Sequence, residues 1–405
     1  MSGRFHISFV GHACLKISVG NLRILTDPWI DGPAYTRQWY QYPSLDRSVP
    51  LDDVQYIHYS HGHEDHLHQP SFHLLPKTAT VLLTRQWFAG NVEWLQSEGF
   101  RTVREITSGK WTRLTGPTGR DTLECVNLVN RSDSLSIMTT EKEVLVNVND
   151  ALHCYDADCI DYYCGRIQKL LHGRSIDYLF CGFGGASYFP NCLRHAAKDD
   201  RHVAMARERH LAQGFARVVR NLKPQMAFAF AANLVLLDPV NHWINEIKFL
   251  NDPVALTEDA IPAMRGRVFK LLPGDVITAA GLERRSSDCA AATHVAEYQR
   301  LYADEIAKKK NRPLLSEDAA DEVLRKLSSH FIERLQRIGS NRVSFDWAVC
   351  LRDCPAAILR VTQQNGVFHS ERLSSERLPE VRDMVVSANS EVLLAGLEST
   401  WGGDS

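Results

Sequence analysis

Four side chains suited to metal chemistry lie within six residues of this chain. They are His61, His63, Asp65 and His66, in the pattern H-x-H-x-D-H. Neutral imidazole is the commonest nitrogen ligand for zinc, iron and nickel, and a carboxylate among the histidines adds a hard oxygen donor. The pattern therefore predicts a metal site on these four residues. The alternative is a solvated histidine-rich turn.

The sequence before this segment indicates how the four side chains are positioned. An apolar, β-branched run over residues 54–59 predicts a strand that stops at Ser60. His61 and His63 would then lie side by side in the loop, whereas Asp65 and His66 would open the next helix and face a second position. We therefore expect two divalent metal ions, bridged by water or hydroxide, with Asp65 as a catalytic residue.

Composition and charge narrow the class of protein. The chain has 405 residues, of which 44% are hydrophobic, and a net charge of −2. This length suits one large domain and a smaller one. The only short basic run covers residues 308–312, so nucleic acid is not the expected partner. No apolar stretch approaches a membrane span and the first residues do not form a signal peptide, so we expect a cytoplasmic protein without a membrane partner.

The ten cysteines are scattered and form no C-x-x-C pair. In a cytosolic chain such cysteines are small, mostly buried hydrophobes. Neither a Rieske nor a ferredoxin spacing is present. We therefore expect no electron-transfer centre in this chain.

The order of predicted elements indicates an α/β protein. Short extended runs, separated by Gly, Asn, Asp and Pro, predict strands through residues 5–148. Apolar residues at helical spacing predict helices over 158–172 and 203–222. Sheets with helices packed outside them imply a layered sandwich, for which we predict a catalytic domain over residues 1–282.

A polar stretch after Gly281 separates a second part of the chain. Its pattern predicts two helices within 295–335, strands at 343–350 and 357–362, and a final helical stretch to Trp401. We therefore predict a separate α+β module over residues 293–405.

Several further blocks carry a resemblance to one family. They are residues 11–15 (Gly-His-Ala-Cys-Leu), 25–35 with Trp39, Asn149-Asp150, 183–190, 219–224, 230–232, 251–253 and 273–275. With the histidine segment they resemble the metallo-β-lactamase superfamily, and most of all the catalytic domain of the CMP-N-acetylneuraminate hydroxylase family. The resemblance covers roughly residues 5–280 and implies a four-layer αβ/βα sandwich with metals at the sheet edges. The C-terminal module loosely resembles a sterol-carrier-like domain.

The resemblance also assigns ligands outside the histidine segment. Asp150 matches the bridging carboxylate and is the second expected catalytic residue. Where the family has a ligand histidine, this chain offers Asn130 or Asp133, and where the family has a late His-Pro, it has Asp238-Pro. We expect Asn130, or its neighbour Asp133, and Asp238 to bind metal. Oxygen donors in place of imidazole favour iron or manganese over zinc, and iron is the metal we expect.

Another set of residues is expected to support the metals or line the substrate cleft. Metal ligands usually need orienting partners, and loop aromatics can wall a cleft. Strand-end hydrogen bonds and ordinary core packing are the alternatives. His153 has no compelling register and is interpreted as a surface residue. The supporting set consists of His12, Asp27, Trp29, Tyr35, Trp39 and Tyr188.

Three functions remain open at this stage. The first is a dinuclear non-haem iron oxygenase that hydroxylates or oxidises a small organic metabolite with O₂. The hydroxylase family carries a Rieske domain before its first strand, whereas this chain starts directly at that strand, so the electrons would come from an external donor. The second is a hydrolase of the lactonase or phosphodiesterase type using a metal-bound hydroxide. The third is a non-catalytic metal protein.

Overall fold

A computed structural model of the protein describes residues 3–84, 90–131, 133–185, 198–285, 290–337 and 344–398. Internal contacts divide the described residues into two units. The first holds those up to Tyr302 and the second those from Ala303 onward. The helix over 291–301 thus lies in the first unit, although the sequence pattern places it in the C-terminal module.

Short strands separated by turns dominate the first unit, as the sequence pattern predicts. They are β1 (Phe5–Gly11), β2 (Cys14–Val19), β3 (Leu22–Thr26), β4 (Trp39–Gln41), β5 (Tyr56–Tyr59), β6 (Thr80–Thr84), β7 (Thr102–Ile106), β8 (Thr112–Thr115), β9 (Thr122–Asn130), β10 (Asp133–Thr139), β11 (Val144–Asn149), β12 (Tyr178–Gly182), β13 (Met226–Phe230), β14 (Leu234–Leu236), β15 (Val268–Lys270), β16 (Val276–Thr278) and β17 (Gly281–Glu283).

Two large mixed sheets arise from these strands. The first has the order β17-β16-β1-β2-β3-β5-β6-β7, and the second has the order β15-β13-β12-β11-β10-β9-β8. In the first sheet β3, β5, β6 and β7 run parallel, whereas in the second β11, β12, β13 and β15 do so. Parallel neighbours bring their carboxyl ends to one edge of a sheet, where ligand sites in α/β folds usually lie.

Alternating side chains of the second sheet contribute to two apolar layers, one on each face of the sheet. Leu145, Phe180 and Phe228 pack with Ile7 and Phe9 of the first sheet. The residues next to them along the chain, Val146, Leu179 and Ala227, face the opposite way, into a cluster with helical residues. Successive residues of a strand point to opposite faces, so one strand serves both layers. The result is the layered sandwich that the sequence predicts.

The helices of the first unit begin and end at recognisable signals. Asp156 and Asp199 accept hydrogen bonds from the backbone N–H groups of Cys159 and His202, which caps the two longest helices at their N-termini. The predicted helices at 158–172 and 203–222 are confirmed. The helices are α1 (Asn91–Ser97), α2 (Ala157–Leu171), α3 (Asp200–Leu222), α4 (Ile244–Phe249), α5 (Pro253–Ala260) and α6 (Ala291–Leu301), with 3-10 helices at Gln69–Leu74 and Pro262–Met264.

The second unit is an α+β layer structure. Its sheet has the order β20 (Val367–Leu373), β19 (Ile358–Gln364), β18 (Phe345–Leu351) and β21 (Met384–Ala388). Apolar residues of α8 (Glu317–Arg337) share one core with β18 and β19. The predicted helical stretch up to Trp401 is wrong over residues 367–388, which hold two strands and a 3-10 helix at Ser375–Glu380. The unit contains α7 (Ala303–Lys310), α8 (Glu317–Arg337), β18 (Phe345–Leu351), β19 (Ile358–Gln364), β20 (Val367–Leu373), β21 (Met384–Ala388) and α9 (Ser390–Glu398).

Of the helices in the described part of the chain, none combines the length and apolar character that a bilayer span needs.

Candidate metal centre

The histidine segment follows β5 as a loop. The backbone N–H groups of His66 and Leu67 both donate to the carbonyl of His63, at 3.0 and 2.8 Å, and close a tight turn. Asp65 and His66 therefore lie in this turn and do not open a helix, which corrects the expectation from the sequence. The 3-10 helix begins at Gln69. The turn directs the histidines and the aspartate towards one another.

Four other segments, drawn from both sheets, contribute residues around this loop. His12 lies in the turn between β1 and β2, and Asp27 follows β3. In the second sheet, Asp133 begins β10 and Asp150 directly follows β11. Because these strand ends meet at one edge of the sandwich, residues distant in sequence become neighbours.

One set of ligand atoms surrounds a first position. His61, His63 and Asp133 each offer one ligand atom, and these three atoms lie within 4.8 Å of one another. Nε2 of His61 is 2.8 Å from Nδ1 of His63 and 3.9 Å from Oδ1 of Asp133. Two imidazole nitrogens and a carboxylate oxygen at these separations suit a single transition-metal ion.

A second set surrounds an adjacent position. His12, Asp65 and His66 form another group within 4.8 Å, and His61, His66 and Asp150 form a third. Nε2 of His66 lies 3.4 Å from Oδ2 of Asp65 and 3.2 Å from Oδ2 of Asp150. His61 and His66 each belong to the group that contains Asp150, so this carboxylate lies where the two positions adjoin.

Asp27 orients the ligand histidines from behind. Its carboxylate lies 3.2 Å from Nδ1 of His66 and accepts hydrogen bonds from the backbone N–H and the hydroxyl of Ser60, both at 2.7 Å. The Ser60 hydroxyl is in turn 2.8 Å from Nδ1 of His61. The amide of Asn149 donates to both Asp27 and Ser60. Such partners fix which ring nitrogen of each histidine faces the metal position.

The carboxylate of Asp65 is held on both sides. Nε2 of His12 donates to Oδ2 at 2.9 Å, and the Tyr35 hydroxyl donates to Oδ1 at 2.7 Å. Burial, and then the charge and hydrogen bond of Asp65, raise the pKa of the Tyr35 phenol well above its usual value. The phenol therefore stays protonated and remains a donor to Asp65 at neutral pH.

The charges of the centre favour a cation. Burial alone would raise the pKa of the Asp65 carboxyl, but the charge of His66 and the hydrogen bonds from His12 and His66 outweigh it and hold that pKa well below its usual range. Burial would likewise lower the pKa of His66, yet Asp65 and the hydrogen-bonded carboxylates of Asp150 and Asp27 raise it well above normal. These carboxylates favour a proton on His66. A bound metal ion would supply that positive charge instead.

The atoms at the centre fit a pair of metal ions. Oδ1 of Asp150 is shielded from solvent and has no hydrogen-bond partner among the described residues, and Nε2 of His66 lies between the Asp65 and Asp150 carboxylates at 3.4 and 3.2 Å. Burial, followed by the charges of His66 and His63, lowers the pKa of His61 well below normal, so this imidazole is neutral, as a ligand must be. Asp27, Asp65, Asp133 and Asp150 together carry the charge that balances two divalent cations.

Two of the ligands expected from the sequence have other hydrogen-bond partners. The Asn130 amide donates to the carbonyl of Ala151 at 2.5 Å and contacts the thiol of Cys159, while Asp133 joins the histidines. The Asp238 carboxylate accepts a 3.0 Å hydrogen bond from the backbone N–H of Val240. Asp238 belongs to none of the histidine and carboxylate groups that could hold a metal among the described residues, and the ligand roles of both residues remain predictions.

The aromatic residues expected to line a cleft differ in position. Trp29 is fully buried, donates from Nε1 to the carbonyl of Gly32, and packs edge-on against His12 with ring centroids 5.1 Å apart. Trp39 is partly buried against Tyr35, at 4.5 Å. Trp29 thus backs the centre, whereas the Tyr35–Trp39 pair flanks it. Tyr188 lies outside the described residues.

The sequence suggests a surface position for His153, whereas the structure buries it beside the centre. Its Nε2 lies 3.0 Å from the carbonyl oxygen of Gly184, and its side chain is 3% exposed. A Cβ atom on Gly182 would lie 2.4 Å from Cε1 of His153 and 3.0 Å from Oδ1 of Asp150. The only sequence signal is its position three residues after Asp150.

Known proteins with similar sequences include hydroxylases. The cytidine monophosphate-N-acetylneuraminic acid hydroxylase of Danio rerio is 25% identical over 309 residues, which cover 71% of this chain and 49% of that protein. That of Asterias rubens is 27% identical over 267 residues, 63% of this chain and 38% of its own length. The chain thus spans about half, or less, of the length of these curated relatives.

Among solved structures, the diiron β-hydroxylase CmlA from Streptomyces venezuelae is similar with a TM-score of 0.44 at 16% sequence identity. The matched part covers 68% of this chain and 54% of the CmlA chain. Residues 6–115, which include the histidine segment, match the family described as a β-lactamase superfamily domain. The match over residues 6–115 and the two packed sheets support a metallo-β-lactamase fold for the first unit.

Proposed function

We propose that the protein is a dinuclear non-haem iron oxygenase that hydroxylates or oxidises a small organic substrate with electrons from an external donor. The first unit would be its catalytic part. The relatives named as hydroxylases support this reaction class. A hydrolase that uses the same residues is the alternative to be separated by experiment.

The donor set is the observation that carries the proposal. Asp133 groups with His61 and His63, Asp65 groups with His12 and His66, and Asp150 lies where the two groups adjoin. Carboxylate oxygens next to imidazoles at both positions give a harder ligand set than imidazole alone, and such a set favours iron over zinc.

In this proposal, His61, His63 and Asp133 would hold one ion, Asp65 and His66 would hold the other, and Asp150 lies next to both positions. Two ferrous ions, when bound, would supply the electrons and open coordination positions that O₂ activation requires. Asp27 and Ser60 keep the rings of His66 and His61 in the orientation that coordination needs. His12 and Tyr35 fix the Asp65 carboxylate, which limits its rotation.

The chain's own groups also control protons and water near the centre. The Tyr35 phenol keeps its proton at neutral pH and donates it in a hydrogen bond to Asp65. His12, Asp27 and His66 are at most 1% exposed, so bulk water does not reach that side. Asp150 and His63 are the less buried members of the groups, and substrate would therefore approach from their side.

The test is metal analysis with an optical and electron paramagnetic resonance spectrum of the purified full chain, followed by O₂ consumption with and without a chemical reductant. We expect about two irons per chain and O₂ uptake that depends on the reductant. Zinc as the sole metal, with ester or phosphodiester hydrolysis under anaerobic conditions, would establish the hydrolase instead.

Matched variants connect this result to the residues. His63→Ala and Asp65→Ala should each abolish activity and lower metal content with the fold retained. His172→Ala is the control, because that residue ends α2 and is exposed. Full activity or full metal content in either site variant would contradict the assignment.

A further inference from the structure

A small cavity lies in the first unit, next to the metal centre but separate from it. Its volume is about 30 Å³, and its walls include apolar side chains such as Phe183 and Phe249. Its polar lining consists of Lys248, Asn233, Glu208, Tyr42, Lys270 and His294. Neither Glu208 nor His294 belongs to a metal-capable group of the described residues.

Lys248 is the unusual member of this cavity. Its side chain, on α4, is 9% exposed, and its Nζ atom is shielded from solvent with no hydrogen-bond partner among the described residues. Burial of an unpaired ammonium lowers the free energy of unfolding by several kcal/mol. Burial lowers the pKa of Lys248 to about 8, with Glu208 opposing that decrease, so the group is still mostly charged at pH 7.

Glu208 does not neutralise Lys248 through a direct hydrogen bond. Its Oε1 atom accepts a 2.6 Å hydrogen bond from Arg207, and its Oε2 atom lies 3.4 Å from the amide nitrogen of Asn251. The pair of Arg207 and Glu208 is therefore neutral as a unit. The ammonium of Lys248 remains as a positive charge at the cavity wall.

A second donor and the cavity's size define the group that fits. Nδ2 of Asn233 is also shielded and has no hydrogen-bond partner among the described residues. One ammonium and one amide N–H together match the two oxygens of a carboxylate. A space of about 30 Å³ corresponds to only about two or three water positions. It therefore suits a planar carboxylate better than a tetrahedral phosphate.

Two short backbone segments connect the cavity to the metal centre. The backbone N–H of Ala231 donates to the carbonyl of His12 at 2.9 Å, and Asn233 follows two residues later. On the other side, Phe183 lines the cavity while the carbonyl of Gly184 contacts His153. A group bound at Lys248 would thus be anchored near His12, which holds Asp65, and near His153, which lies beside Asp150.

We propose that Lys248 and Asn233 bind the carboxylate of a small organic acid and that this contact positions the substrate at the metal centre. The substrate class rests on the proposed oxygenase function, whereas carboxylate binding by the cavity does not. Lys248 is a positioning residue in this scheme, because it holds the substrate away from the reacting atoms.

The test uses the metal-loaded full chain with sodium acetate as the probe and inorganic phosphate as a size comparison, measured by titration calorimetry and thermal unfolding. Lys248→Met should weaken acetate binding by about tenfold or more, since a hydrogen bond to a charged group is lost. Metal content should not change. The unliganded variant should be at least as stable as the wild type, because an unpaired buried charge is removed.

Lys16→Met is the matched control. Lys16 is similarly buried, but its Nζ atom donates to Asp53 and to the carbonyl of Pro50, both at 2.6 Å. This variant should lose stability and keep acetate binding. If Lys248→Met does not fold, Asn233→Leu removes the other donor and should also weaken acetate binding.

Three results would overturn the proposal. Acetate binding unchanged in the foldable variants would mean that acetate binds elsewhere, for example at the metals. A loss of stability in Lys248→Met as large as that in Lys16→Met, with acetate binding retained, would mean that the ammonium serves the fold. Phosphate binding as tight as acetate, and lost in Lys248→Met, would exclude the carboxylate class. None of these results depends on whether the metal is iron or zinc.

Discussion

Nε2 of His12 lies 2.9 Å from Oδ2 of Asp65, although 53 positions separate the two residues. His12 occupies the turn between β1 and β2 with a left-handed backbone (φ 47°). Its ring also packs against those of Trp29 and His66, at 5.1 and 5.5 Å. The contact fixes one ligand carboxylate and brings a fourth imidazole to the centre, whereas the sequence suggests Asp238 as the further ligand.

His12→Ala should therefore remove more metal than Asp238→Ala. Loss of the imidazole should lower metal affinity at the second position by about 10–100-fold, the range found for groups that support ligands. Asp238→Ala should retain both ions, because its carboxylate caps a turn. Metal content after dialysis against a weak chelator measures the difference. Equal metal loss in the Asp238 variant would restore Asp238 as a ligand.

Tyr35→Phe tests the other hydrogen bond to Asp65. The substitution removes a 2.7 Å donor and leaves the ring contact with Trp39, so the fold should be retained. We expect metal affinity and turnover to fall by about tenfold. Tyr162→Phe is the control, since that side chain is 62% exposed. Unchanged metal affinity would show that His12 alone is sufficient to hold Asp65.

Gly182→Ala should disturb the centre through packing. The added methyl would lie 2.4 Å from Cε1 of His153, so His153 or the end of β12 must move. Overpacking of this kind costs about 1–3 kcal/mol, and the Asp150 carboxylate beside His153 would shift. Thermal unfolding and metal analysis measure both effects. Gly185→Ala, whose methyl would meet nothing within 4 Å, should leave both unchanged.

The second unit should lose stability in acid through Asp346. Arg360 donates two 2.8 Å hydrogen bonds to this carboxylate and holds its pKa below the usual value. The unfolded carboxyl keeps the ordinary pKa of about 4. The stabilisation is therefore complete above that pH, and it is lost as the pH falls through the lower folded-state pKa.

Asp346→Asn should accordingly reduce the free energy of unfolding of this unit by about 2 kcal/mol at pH 7. It should also flatten the acid part of the stability curve. Hydrogen exchange of the β18 and β19 amides provides the measurement. Glu371→Gln changes an exposed partner of the same arginine, at 3.3 Å, and should cost less than about 0.5 kcal/mol. Similar losses in both variants would contradict this prediction.

Local sequence patterns predict the strand before the histidine loop and the two longest helices of the first unit, because strand and helical spacing depend on neighbouring residues. The choice between Asn130 and Asp133 was harder. These residues pair across the end of the β9–β10 hairpin, and Arg131 between them has a left-handed backbone (φ 54°). The direction in which each side chain points depends on this turn geometry, which composition alone does not determine.

Buried polar residues without a motif were beyond the reach of the sequence. His153, Glu208 and Lys248 look like ordinary polar positions, and only tertiary packing buries them. The strand β20 was missed for the opposite reason. Its sequence, Val-Phe-His-Ser-Glu-Arg-Leu, is mostly exposed, so it lacks the apolar alternation of a half-buried strand.

The ligands of the centre come from both sheets, since the histidine loop follows β5 whereas Asp133 and Asp150 belong to β10 and the end of β11. Metal ions bound there would act as cross-links between the two halves of the sandwich. Their binding free energy is then linked to the docking of one sheet on the other. Chelation should therefore loosen the interface between the sheets while the strands within each remain paired. The metals would thus contribute to the cooperativity with which the first unit unfolds.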